Sequence, residues 1–147
     1  MLIGKHEFST DTTTAATAGE IETVASLFGS SLPVDYVDLL NHADGFSGQV
    51  KNVDPPHLST YVSFYSARQV TSHNQTLEVA EFEPGLMLVG SNGGETGFFL
   101  RRPAGPGDDP GWVEMSCYEI GEPDAQRRDF ETLSDLLTAW IADMNDE

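Results

Sequence analysis

Few side chains in this sequence have types and spacings that suit covalent or metal chemistry. Ser91 lies in Gly90-Ser91-Asn92-Gly93, but a nucleophile elbow needs a residue between the first glycine and the serine. A hairpin turn explains the same residues. Cys117 with a histidine would make a nucleophilic pair. Beside Met115 and Tyr118, at the end of an expected strand, it reads instead as a small buried thiol. His6, His42, His57 and His73 are scattered, and no H-x-x-x-H or H-E-x-x-H pair offers two imidazoles to one ion from a helix. Asp108-Asp109 lacks the spaced oxygens and following glutamate of a calcium loop. The stretch GSNGGETG fits neither dinucleotide nor P-loop fingerprints, and Glu95 would repel a phosphate. With one cysteine, an intramolecular disulfide and a multi-thiolate zinc site are excluded. The expectation is therefore no catalytic residue, no metal, no cofactor and no enzyme. A small hydrolase using Ser91 or Cys117 is the third-ranked reading.

Charge is more informative. The chain carries 24 acidic and 7 basic side chains, a formal charge of −17. Residues 103–147 alone hold twelve acids against two bases. Such a molecule is repelled by nucleic acid and by anionic membranes, and it attracts basic proteins. Adaptation to high salt is the alternative source of such acidity. No apolar run is long enough to span a bilayer. Lys5, His6 and Glu7 interrupt the region where a signal peptide would be apolar, so a cytoplasmic protein is expected. The Asn74-Gln75-Thr76 sequon is then a chance match.

Several elements are legible. Residues 1–19, including STDTTTAATAG, read as a mobile lead-in, and residues 20–147 as one domain. Ile21, Val24, Ala25 and Phe28 form a helical stripe closed by Gly29. A second helix starts at Pro33, carries Tyr36, Leu39, Leu40 and Ala43 on its apolar face, and ends by Gly45. Tyr61–Tyr65, Leu86–Val89, Gly97–Leu100 and Trp112–Ser116 read as strands, with a hairpin over Gly90–Glu95 and a turn-rich connector over Pro103–Gly111. Ala67–Ala80 is a weak helix or irregular crossover. Phe130, Leu133, Leu137, Trp140, Ile141 and Met144 mark a C-terminal helix. The expected class is α+β: an antiparallel sheet of about four to six strands, with two N-terminal helices and a C-terminal helix packed on it.

Leu32-Pro33-Val34-Asp35-Tyr36-Val37-Asp38-Leu39-Leu40, ending at Asp44-Gly45, resembles the L-P-x-D-Y signature of the SUKH (Smi/Knr-like) superfamily. Pro84–Glu95 resembles the family's strand and glycine-rich hairpin, Gly97–Leu100 its aromatic return strand, and Phe130 with Leu133–Leu137 its closing helix. The resemblance spans roughly residues 20–142. It implies a compact protein-binding fold. Many bacterial members are immunity proteins that neutralise a cognate toxin, often a nuclease, by binding it; fungal relatives act in cell-wall regulation. The family supplies no catalytic residues. Its recurrent positions, here Leu32, Pro33, Tyr36, Leu39, Leu40, Gly45, Gly90, Gly93 and Gly94, have structural explanations. Arg101-Arg102 departs from the pattern, since members commonly carry an acid there.

The leading expectation is an immunity-type inhibitor whose acidic face meets a basic toxin domain. The second is a regulatory or scaffold module without a toxin. Expected partner contacts are the loop residues Asp44, Asp54, Glu95, Asp108, Asp109 and Trp112.

Overall fold

The computed structural model describes residues 2–9, 14–56 and 58–145. Every strand pairs with its neighbours in sequence, so one antiparallel sheet runs in chain order. Its strands are β1 (Leu2–Ile3), β2 (His6–Phe8), β3 (Phe46–Asn52), β4 (Ser59–Phe64), β5 (Leu86–Ser91), β6 (Thr96–Arg101), β7 (Gly111–Ser116) and β8 (Arg127–Phe130). Helices α1 (Ala18–Phe28) and α2 (Val34–His42) separate β2 from β3. Helices α3 (Ala67–Thr76) and α4 (Val79–Phe82) separate β4 from β5, and α5 (Leu133–Met144) follows β8. The α+β class with an antiparallel sheet is as expected. The element count is not: the described residues hold eight strands and five helices.

The additional strands have physical causes. Residues 2–8 were expected in a mobile lead-in; instead they form β1 and β2, and β2 pairs with β3 through Phe8 and Val50. Farther along, the Ala16 amide donates to the Leu40 carbonyl, and Ala16 is buried. Strand β3 buries Phe46 and Val50, but Gly48 occupies the position between them. A side chain there would come within 3.2 Å of the Phe46 ring. Phe130, expected in the last helix, is the end of β8 and pairs with Trp112.

Helix ends follow from local chemistry. Thr17 and Glu20 form a reciprocal capping box on α1, and Gly29 closes it at φ 76°, a left-handed conformation that suits glycine. Pro33 is the residue before α2 rather than its first helical residue. Ser66 and Gln69 cap α3 in the same way as Thr17 and Glu20 cap α1. Among the described residues, no helix is long and apolar enough to cross a membrane.

The core lies on both faces of the sheet. On one face, Val24, Phe28, Tyr36, Leu40, Leu137 and Ile141 from α1, α2 and α5 pack on Phe64, Met87, Phe98, Leu100 and Trp112. On the other, Val79 of α4 covers Leu86, Leu88, Phe99, Val113 and Met115. Strand β5 is therefore buried along its whole length, which is why its sequence is a continuous apolar run rather than an alternation.

One polar residue completes this arrangement. β4 pairs with β5 at Ser63–Ser91 and Phe64–Gly90, and the Tyr65 amide still reaches the Val89 carbonyl. The chain then turns into α3, leaving Leu88 with no strand partner on that side. The buried Asn74 carboxamide takes the strand's place. Its oxygen accepts from the Leu88 amide at 2.8 Å, and its nitrogen donates to the Leu88 carbonyl at 2.8 Å and the Val70 carbonyl at 2.7 Å. Gly90 permits the close approach of β4, since a Cβ there would sit 2.7 Å from the Ser63 carbonyl oxygen.

A buried histidine joins the first strands to the last helix. His6 is 1% exposed, and its Nε2 lies 3.2 Å from the Ser134 carbonyl oxygen and 3.3 Å from the Thr138 hydroxyl. Burial lowers its pKa from 6.5, opposed by the Ser134 carbonyl and the Asn52 side chain. The neutral ring is thus the native form. Below pH 6.5 the unfolded chain binds the proton first, so this group contributes stability that is fully present above that pH and is lost as pH falls towards the folded value. The slope is at most about 1.4 kcal/mol per pH unit. Acidification also relieves the repulsion of a −17 chain, an effect of opposite sign. The difference between wild type and His6→Gln in urea midpoints at several pH values isolates the histidine. Wild type is expected to lose more stability than the variant on going below pH 6.5.

Candidate functional site

The Leu32-Pro33-Val34-Asp35 segment enters α2 beside the first turn of α5. Asp35 holds the two together. Its Oδ2 accepts from the Leu133 amide at 2.7 Å, and its Oδ1 accepts from the Trp112 indole at 3.2 Å. One carboxylate thereby ties α2 to β7 and satisfies an otherwise unpaired amide at the start of α5.

Above this junction lies an open groove of about 630 Å³. Ile3, Leu32, Pro33, Val34 and Pro110 are apolar residues of its lining. Val34 is 86% exposed, because the buried stripe of α2 (Tyr36, Leu39, Leu40) faces the core and leaves Val34 outside it. Asp35, Asp38, Asp109 and Glu131 supply four carboxylates, and no lysine or arginine lines the groove. Four other cavities each hold a cation: Arg127 and Arg128, Arg68, Lys51, or Arg101. Asp38 has His42 at 3.7 Å, a partner only when that imidazole is protonated. A neighbouring cavity shares Asp109, Pro110, Glu131 and Thr132 and runs on to Arg101 and Asp108. There Arg101 lies 3.9 Å from Asp108 and 3.8 Å from Asp129, so the acidic surface ends at an ion-pair cluster.

Most of the remaining cations are occupied elsewhere. Arg128 meets Glu114 and Asp143, each at 2.7 Å, and Lys51 meets Glu7 at 3.5 Å. Arg102 bonds four carbonyls: Phe28 at 2.7 Å, Leu27 at 3.1 Å, Pro84 at 2.8 Å and Leu86 at 2.7 Å. Arg102 is therefore a structural residue. The guanidinium caps the end of α1 and fastens it to the start of β5.

The expected contact residues divide. Asp108 and Asp109 line the acidic surface just described. Asp54 and Glu95 are exposed on other loops, outside the groove lining. Asp44 is half-buried and accepts from the Ala67 amide at 2.7 Å, an N-terminal cap for α3. Trp112 is fully buried against Tyr36 and Phe64 and offers no surface to a partner. That expectation is corrected: Trp112 faces the helix-covered side of β7. Asp35, Asp38, Glu131 and Val34 were not among the expected contacts. The available signal was Val34 lying off the helical stripe just before Asp35 and Asp38.

The residues considered for catalysis do not converge on an activated nucleophile. The Ser91 hydroxyl accepts from the Gly93 amide at 3.1 Å, as in a turn. Burial raises the Cys117 pKa, which favours the thiol over the reactive thiolate. Among the described residues, no group of three His, Cys, Asp or Glu side chains is placed to hold a metal ion. His57 lies outside the described residues. The sequon asparagine is Asn74, whose amide nitrogen is buried and used for hydrogen bonds. No protein-family model matches the chain, and no curated protein matches it in sequence.

Proposed function

We propose that this protein is an immunity-type inhibitor that binds a basic protein, in a bacterial setting a toxin such as a nuclease, and neutralises it by occupying its surface. The observation that carries the reading is the groove beside α2, lined by apolar residues and four carboxylates without a lysine or arginine. Two helix N-termini border it, from α2 and α5. Each carries about half a positive charge, so together they offset about one of the four carboxylates. The field that remains is negative and selects a cationic partner. The formal charge of −17 extends that field over the molecule and speeds encounter with such a partner. Inhibition by occupancy requires no reaction centre of its own, and a cytoplasmic setting places the inhibitor where an incoming toxin acts.

The test is capture of the toxin encoded beside the gene, after co-expression with the full chain. A complex is expected, with association slowing roughly tenfold or more as salt rises from about 0.05 to 0.5 M. Absence of a complex, or one indifferent to salt, would overturn the proposal.

A further inference from the structure

We infer that the groove seats an extended segment of the partner protein that carries lysine or arginine around a single aliphatic or aromatic anchor. The inference rests on the protein-binding reading above and names what enters the site. Charge alone does not distinguish this groove, because acids lie over much of the molecule. The combination does. Leu32, Pro33, Val34 and Pro110 form an apolar seat, and Val34 is 86% exposed on it. An exposed apolar seat of this kind gains free energy when a side chain covers it. Asp38, Asp109 and Glu131 line the same groove as the seat, so cations flanking the anchor on an extended segment would meet carboxylates there. The groove shares Asp109, Pro110, Glu131 and Thr132 with the cavity that holds Arg101, which lies within ion-pair distance of Asp108 and Asp129. The arrangement therefore fixes the chemistry of the occupant.

The experiment uses the full chain and two capped synthetic peptides. One is rich in lysine and arginine with a central leucine, and the other has serine in the leucine's place. Amide chemical shifts are followed by NMR at low salt. The leucine peptide is expected to bind roughly tenfold more tightly than the serine peptide. Its shifts should centre on residues 32–38, 109–110 and 131–134. Two variants sharpen the result. Val34→Asp adds negative charge in the first turn of α2, where a helix tolerates it. Pure electrostatic attraction would leave binding unchanged or tighter, whereas loss of the seat should weaken it roughly threefold or more. Asp38→Lys combined with Asp109→Lys should weaken it roughly tenfold. Equal binding of both peptides, shifts scattered over other acidic surfaces, tighter binding by Val34→Asp, or no binding at all would overturn the inference. Capture of the toxin separates the two proposals. If wild type and these variants capture it equally well, the inhibitor reading stands and the groove assignment fails. If the peptide binds as described but no toxin is captured, the groove assignment stands and the inhibitor reading fails.

Discussion

Replacing Asn74 with alanine is expected to lower the unfolding free energy by about 3–5 kcal/mol. The substitution removes three short hydrogen bonds and leaves the Leu88 amide and carbonyl without their side-chain partners. Leu88 is fully buried, so water cannot replace the lost partner without entering the core. Each unsatisfied buried group costs about 1–3 kcal/mol, and the two groups left unpaired are the Leu88 amide and carbonyl. Asn74→Asp separates the contributions. It keeps an acceptor for the Leu88 amide but turns a carboxylate oxygen towards two carbonyls, so it is expected to be at least as damaging as alanine. Urea denaturation checks both: the midpoint should fall while the slope stays near the wild-type value. If Asn74→Ala cost no more than an exposed polar-to-alanine change, the carboxamide would not be acting as the missing strand.

The second large effect is expected at Arg102. Arg102→Met should cost about 2–4 kcal/mol, because it leaves four carbonyls without a charged donor. The loss is smaller than four separate charge-assisted bonds would suggest, since a partly exposed site readmits water. Arg102→Lys should recover less than half. A lysine ammonium keeps the charge, but it is a point donor and cannot reproduce the planar fork that reaches α1 and β5 together. Equal stability of the lysine variant and wild type would show that charge, rather than geometry, matters here. Chemical denaturation measures both, and the groove variants serve as controls because Val34 and Asp109 lie at the surface.

These two positions also show what the sequence conveys and what it conceals. The stripes of α1, α2 and α5 were legible because several large apolar residues recur at helical spacing, and glycine marks the end of α1. The central strands β5 and β6 were legible because burial on both faces demands near-continuous apolar residues, and β7 because its residues alternate. The outer strands were not. β1 and β2 are two and three residues long, β8 reads Arg127-Arg128-Asp129-Phe130, and β3 places Gly48 where alternation calls for a side chain. Asn74 and Arg102 were hidden for a different reason. Their importance depends on carbonyls and amides exposed by tertiary geometry, which residue type does not encode.

The site was legible in the same partial way. The connector acids Asp108 and Asp109 were found because a turn-rich loop exposes what it carries. Asp35 was treated as part of a helix start, yet it bonds β7 and α5 across 77 and 98 residues of sequence. Trp112 was misplaced because alternation along β7 shows that successive side chains part company, but not that both faces of the strand are covered.

The order of the sheet has a consequence for synthesis on the ribosome. Because each strand pairs with its predecessor, the sheet can grow by one strand at a time as the chain emerges. Helix α5 comes after all eight strands, yet it supplies Leu136, Leu137, Trp140 and Ile141 to the larger core and reaches back to His6 across 128 residues. Until it emerges, the face that it later covers is an exposed apolar surface. A nascent chain stalled before Leu133 would therefore present that surface to chaperones, and release from them should coincide with the appearance of this helix.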